Sequence, residues 1–120
     1  MAKILLIDDE EQMRFLLKRM LTRDGHDIVL AQDGEEGVKR FYQLTPDLVI
    51  TDIVMPNKGG LEVIGEILAT HPSQPIIAMS GGRRALLPTI DSIEAIGIKG
   101  VLQKPFTHED LRQLVQLALN

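Results

Sequence analysis

The feature that most constrains this chain is a rhythm of short apolar runs, each cut off by a polar or turn-forming residue, alternating with longer amphipathic stretches. Ile4-Leu5-Leu6-Ile7 reads as a buried strand that stops at Asp8-Asp9. Glu10 to about Arg23 reads as a helix with Met13, Leu16, Leu17, Met20 and Leu21 on one face, closed by Asp24-Gly25. His26 to Ala31 forms a second strand, and Asp33-Gly34 opens a helix that turns Val38, Phe41 and Tyr42 inward. Leu48-Val49-Ile50-Thr51 is the third strand, ended by Asp52. After a loop over Pro56 to Gly60, a helix from Leu61 to Thr70 directs Leu61, Ile64, Ile67 and Leu68 inward. Ile76-Ile77-Ala78-Met79 follows, ended by Ser80-Gly81-Gly82. Pro88 suits the first turn of a helix from near Leu87 to Gly97. Ile98 to Gln103 is the fifth strand, stopped by Pro105. Thr107 caps a last helix lined by Leu111, Leu114, Val115 and Ala118, with Asp110 completing the cap. Five strands and five helices in strict alternation predict an α/β fold, a doubly wound parallel sheet with helices on both faces. Strands apolar along their whole length fit a sheet buried on both sides.

Composition narrows the function classes. The chain has 120 residues, a size for one domain, so residues 1–120 are expected to form a single unit with no output domain attached. The apolar fraction of 44% is that of a globular protein. Without cysteine there is no disulfide framework and no thiolate chemistry. A net charge of −4 with only four aromatic side chains argues against direct DNA binding, because a phosphate backbone requires a basic face. No apolar run approaches the ~18 residues of a membrane span, and the N-terminal run is too short for a signal peptide. A cytoplasmic protein is the expectation.

In an open parallel sheet, ligands bind beyond the carboxyl ends of the strands. The residues that end the strands are Asp8-Asp9, the uncharged Ala31-Gln32, Asp52, Ser80 and Lys104-Pro105. With strands in the order 2-1-3-4-5, the first and third are neighbours, and three carboxylates converge beside a hydroxyl and an amine. Taken singly, each has an ordinary structural role: Asp8 or Asp9 as a helix cap, Asp52 and Ser80 as turn residues, Lys104 as a solvated strand end. Taken together they do not. Two carboxylates ~4 Å apart repel by about 4 kcal/mol at an effective dielectric near 20. Lys104 offsets part of that, and a hard divalent cation such as Mg²⁺ offsets the rest. A carboxylate in such a site is a nucleophile toward phosphorus, with metal and ammonium balancing charge on the phosphoryl oxygens. Asp52, alone at the central strand, is the candidate nucleophile, and the Asp8-Asp9 pair suits a cation.

Asp8-Asp9, Asp52 with Met55-Pro56, Ser80-Gly81 and Lys104-Pro105-Phe106 together resemble the response-regulator receiver domain of two-component signalling, along the whole chain. The resemblance implies a flavodoxin-like (βα)₅ fold and a phosphoacceptor at Asp52. It implies Mg²⁺, with Mn²⁺ as an alternative, held directly by Asp9, Asp52 and the main-chain carbonyl of Val54, and by Asp8 through water. Ser80 and Lys104 would contact the phosphoryl group, and the Lys104–Pro105 peptide would be cis. The implied partners are a sensor histidine kinase or phosphotransfer protein and a downstream protein bound on phosphorylation, or the next member of a phosphorelay. In chemistry this is a signalling domain that takes and loses its own phosphoryl group, rather than an enzyme acting on an outside substrate. Many receivers carry an aromatic switch residue at the position of Val101, so transmission by a swinging ring does not apply here. The Gly-containing segment from Ser80 to Leu87, which includes Arg83-Arg84, is instead expected to rearrange, with Val101 following.

Other readings fit less well. A phosphatase of the haloacid-dehalogenase type also uses a strand-end Asp but wants a second Asp two residues on, where this chain has Val54. A flavin or nucleotide carrier needs a phosphate cradle after the first strand, and Asp8-Asp9-Glu10-Glu11 would repel a phosphate. A receiver that no longer takes phosphate is disfavoured by the intact set of site residues.

Overall fold

The computed structural model describes residues 1–81 and 97–120. In chain order the elements are β1 (Lys3–Ile7), α1 (Glu11–Arg23), β2 (Asp27–Ala31), α2 (Gly34–Leu44), β3 (Leu48–Asp52), α3 (Gly60–Thr70), β4 (Ile76–Ser80), β5 (Gly100–Gln103) and α4 (His108–Leu119). The strands form one parallel sheet in the order β2-β1-β3-β4-β5. This is the doubly wound, flavodoxin-like topology expected from the alternation. Among the described residues there are four helices; the helix expected from near Leu87 to Gly97 falls almost wholly outside them. The segment expected to rearrange, Ser80 to Leu87, also lies outside the described residues beyond Gly81.

The period-two alternation of the strands divides their side chains between two cores. Leu5, Ile7, Val49, Ile76 and Ala78 pack with Phe41 of α2 and Val63, Ile64 and Ile67 of α3. Ile4, Leu6, Leu48, Ile50, Ile77 and Met79 pack with Leu17 and Leu21 of α1 and Leu111, Val115 and Ala118 of α4. The central strands β3 and β4 are buried along their whole length, as a sheet covered on both faces requires.

Helix ends follow local chemistry. Asp33 caps α2 by accepting from Glu36 N–H at 2.8 Å. Thr107 and Asp110 form the expected reciprocal cap on α4, each bond 3.0 Å long. Gly25 takes the left-handed conformation, φ 92°, that ends α1. The inward faces differ from expectation at Leu16, Tyr42 and Leu61, which are exposed, while Val63 is fully buried. The expected fifth strand also starts later, at Gly100 instead of Ile98, although Lys99 N–H already donates to Ile76 O at 2.8 Å.

Candidate functional site

The register of the sheet brings the strand ends level. Asp52 pairs with Met79, and Ser80 with Gln103, while Lys104 N–H donates to Ser80 O at 2.8 Å. Asp8 follows β1 and is held by its own N–H, which donates to Ala31 O at 3.1 Å. Asp8, Asp9 and Asp52 each place a carboxylate oxygen within 4.8 Å of the others. Asp8 is completely buried, Asp52 and Ser80 nearly so, and Asp9 is exposed at the mouth. The Lys104 ammonium reaches over the cluster, 3.4 Å from Asp52 Oδ2 and 3.6 Å from Asp8 Oδ2. The Lys104–Pro105 peptide is cis.

One ammonium does not balance this pocket. Burial pushes the Asp8 carboxyl above its ordinary range; a hydrogen bond from the Glu10 backbone and the charge of Lys104 oppose the rise, and Asp52 and Asp9 add to it. Burial also pushes Asp52 up, against the pull of Lys104 and of backbone hydrogen bonds at Val54 and Ile53. Asp8 Oδ1 accepts from Glu10 N–H at 2.8 Å. Among the described residues Asp8 Oδ2 is buried with no hydrogen-bond partner, since Lys104 stands just beyond bonding distance. A buried acceptor left so costs about 1–3 kcal/mol, and more when charged. Such an oxygen, on a carboxylate clustered with two others, fits a hard cation that takes oxygen ligands.

After β3 the chain folds back on itself: Ile53 and Met55 are buried, and the Val54 side chain between them is exposed. This return depends on Gly60, whose N–H donates to Ile53 O at 2.9 Å. A Cβ at Gly60 would overlap the Asp52 carbonyl oxygen and come within 2.8 Å of Ile53 Cα. Val101 lies in β5 opposite Ala78, partly buried against the core shared with α2 and α3. Sequence reasoning thus located Asp8, Asp9, Asp52, Ser80 and Lys104 at one edge of the sheet, where the structure brings them together. It missed Gly60 and Arg14, whose Nη1 donates to the Asp8 carbonyl at 2.7 Å.

A doubly wound sheet with an acidic pocket at its carboxyl edge defines the broad class, an α/β domain built around a polar strand-end site. Comparison with known proteins narrows it, since a family model of the response regulator receiver domain matches residues 4–116. The chain therefore belongs to the response-regulator receiver family of two-component signalling, a signalling family and not a family of catalytic enzymes. It is 37% identical over 106 residues to a chemotaxis protein CheY of Thermotoga maritima, covering 87% of this chain and 86% of that one. Chemotaxis protein CheY of Listeria monocytogenes is 32% identical over 98% of both chains. A receiver domain protein from Clostridium thermocellum superposes with a TM-score of 0.94 at 32% identity, covering 100% of this chain and 95% of that one. The response regulator TrrA of Thermotoga maritima, solved in complex with Mg²⁺-BeF, superposes at 0.88 and 35% identity over 99% of this chain and 100% of its own. Among the described residues no helix is long and apolar enough to cross a membrane.

Proposed function

We propose that this receiver accepts a phosphoryl group on Asp52 from a phosphohistidine donor, a sensor histidine kinase or phosphotransfer protein. The observation that carries the reading is the buried Asp8 Oδ2, which among the described residues accepts no hydrogen bond, in a cluster of three carboxylates faced by one ammonium. Asp9, Asp52 and the Val54 carbonyl would hold Mg²⁺ or Mn²⁺ directly, and Asp8 would do so through water. Bound there, the cation supplies positive charge to the phosphoryl oxygens. An Asp52 carboxylate oxygen forms the new bond to phosphorus as the donor's P–N bond breaks, and the electron pair stays with the imidazole nitrogen, which takes up a proton. Asp52 loses its negative charge in this step, so Lys104, until then paired with Asp52 and Asp8, is free to pair with a phosphoryl oxygen. The Ser80 hydroxyl donates to another. Water attacking phosphorus reverses the state and returns Asp52 as a carboxylate.

The output follows from the same change. A phosphoryl group at the sheet edge adds negative charge and acceptor oxygens and so biases the adjoining backbone between two states. We read the domain as signalling through phosphorylation-dependent protein binding or a phosphorelay. Intact mass after incubation with acetyl phosphate tests the acceptor. One added phosphoryl group is expected, requiring Mg²⁺ and absent in Asp52→Asn. Equal phosphorylation of Asp52→Asn would overturn the assignment.

A further inference from the structure

Arg14 lies in the first turn of α1, and its side chain reaches back past the helix start to the end of β1. There Nη1 donates to the main-chain carbonyl of Asp8 at 2.7 Å. That carbonyl falls between two ladders. β2 ends at Ala31, whose own carbonyl is taken by Asp8 N–H, and the helical ladder starts only with Arg14 N–H to Glu10 O at 3.0 Å. The start of α1 is itself weakly secured, since Glu10 at the N-cap makes no side-chain cap. Asp8 Oδ1 accepts from the Glu10 N–H and so ties the residue that precedes the helix. The stretch from Asp8 to Glu10 is therefore tied at three points: the Asp8 N–H, the Glu10 N–H and, through Arg14, the Asp8 carbonyl. The Asp8 carbonyl and the Asp9 nitrogen share one rigid peptide plane. With the Glu10 N–H tied as well, the peptide planes on both sides of Asp9 are held, and with them the direction in which its exposed side chain leaves the backbone.

We infer that Arg14 is a positioning residue for the acidic pair, holding the Asp8–Asp9 peptide so that the Asp9 carboxylate stays within reach of Asp52 and the site binds a divalent cation more tightly. The inference rests on the cation site proposed above. It is testable because the two effects of Arg14 have opposite signs. As a positive charge beside the site, Arg14 opposes a cation, and its removal tightens binding. As a clamp on the backbone, it favours the cation, and its removal loosens binding. Partners that orient metal ligands typically change metal affinity by 10–100-fold, so the clamp is expected to win.

The experiment is calorimetric titration of Mg²⁺ into the full chain and its variants, each at a temperature where its melting curve in chelator shows it folded. Arg14→Met keeps a long stem but has neither charge nor donor, and it is expected to bind Mg²⁺ about tenfold more weakly. Arg14→Lys keeps a charged donor and is expected to recover part of the loss. Arg14→Gln keeps a neutral donor and is expected to bind better than Arg14→Met. At saturating Mg²⁺, phosphorylation of Arg14→Met by acetyl phosphate is expected to return to the parent rate, which marks a fault of positioning and not of chemistry. Mg²⁺ binding by Arg14→Met as tight as the parent's, or tighter, would overturn the inference; should that variant fail to fold, the same result in Arg14→Ala, which also lacks the charge and the donor, would overturn it. Absence of Mg²⁺ binding by the parent, or unchanged binding by Asp9→Asn, would instead overturn the cation site itself and the role of Arg14 with it.

Discussion

Asp8 and Asp52 are carboxylates whose surroundings work against their charge, and stability follows from that at the scale of single residues. Burial raises both above the ordinary carboxylate value. A raised carboxyl favours folding fully below its unfolded pKa, and that contribution is lost as pH rises through the folded pKa. The ionised groups therefore oppose folding of the metal-free protein at neutral pH. Asp52→Asn should raise the denaturant midpoint in chelator at neutral pH, and the gain should vanish in acid once the parent carboxyl is protonated. A gain that persisted unchanged into acid would point to packing and not charge. Lys104 is the opposite case. Lys104→Ala leaves two nearly buried carboxylates without their ammonium, a loss of about 1–3 kcal/mol for a pair still partly open to solvent. It should also slow phosphorylation by acetyl phosphate far more than Ser80→Ala, which removes one hydroxyl. These residues were legible in the sequence because each ends an apolar run. Arg14 was not, since its contact is with a main-chain carbonyl and leaves no mark in the pattern of residue types.

At the scale of elements, the sequence showed which of the described segments are helices but not how each is turned about its axis. Spacings of three and four admit either member of an adjacent apolar pair. In α1 the sheet takes Leu17 and leaves Leu16 exposed. In α3 a face counted from Leu61 passes over Val63, which is the buried residue. Tyr42 stays at the surface because its hydroxyl bonds Thr70 Oγ1 at 2.7 Å while its ring meets Phe41 edge-on and lies tilted against His71. Contacts between elements were equally hidden. Asp24, at the end of α1, accepts from His108 at 3.0 Å and from Arg112 at 3.3 Å, both on α4. Burial would raise its pKa, but the hydrogen bonds and charges of His108 and Arg112 prevail and hold it low. A lowered carboxyl contributes stability above its unfolded pKa and loses it as pH falls through the folded pKa. Asp24→Asn should thus cost about 0.5–1 kcal/mol at neutral pH and less in acid, by urea denaturation. Gly60→Ala belongs to the same scale, because its methyl group would displace the backbone that carries Asp52. It should cost about 1–3 kcal/mol and slow phosphorylation, where Gly65→Ala, with open space around it, should do neither.

For the whole molecule, topology does what no local feature can. Parallel strands with alternating crossovers put all five carboxyl ends on one side, so residues far apart in the chain meet at one edge: Asp52 and Lys104 are 52 positions apart yet 3.4 Å from each other. The cost of that meeting is spread over the fold, because the acidic pocket lowers the stability of every element packed around it. A cation bound only by the folded state must then stabilise the whole chain, by about 2.7 kcal/mol at a concentration one hundred times its dissociation constant. For a domain of this size that is a rise in melting temperature of roughly 10 °C. Asp9 is the residue on which to test this, since it is exposed and belongs to neither core. Asp9→Asn should melt in chelator at or above the parent temperature, because it removes a like charge from the cluster. In Mg²⁺ the parent should gain its several degrees and Asp9→Asn should gain little. An equal rise in both proteins would mean that Mg²⁺ stabilises the chain from elsewhere, and that the three carboxylates are not its site.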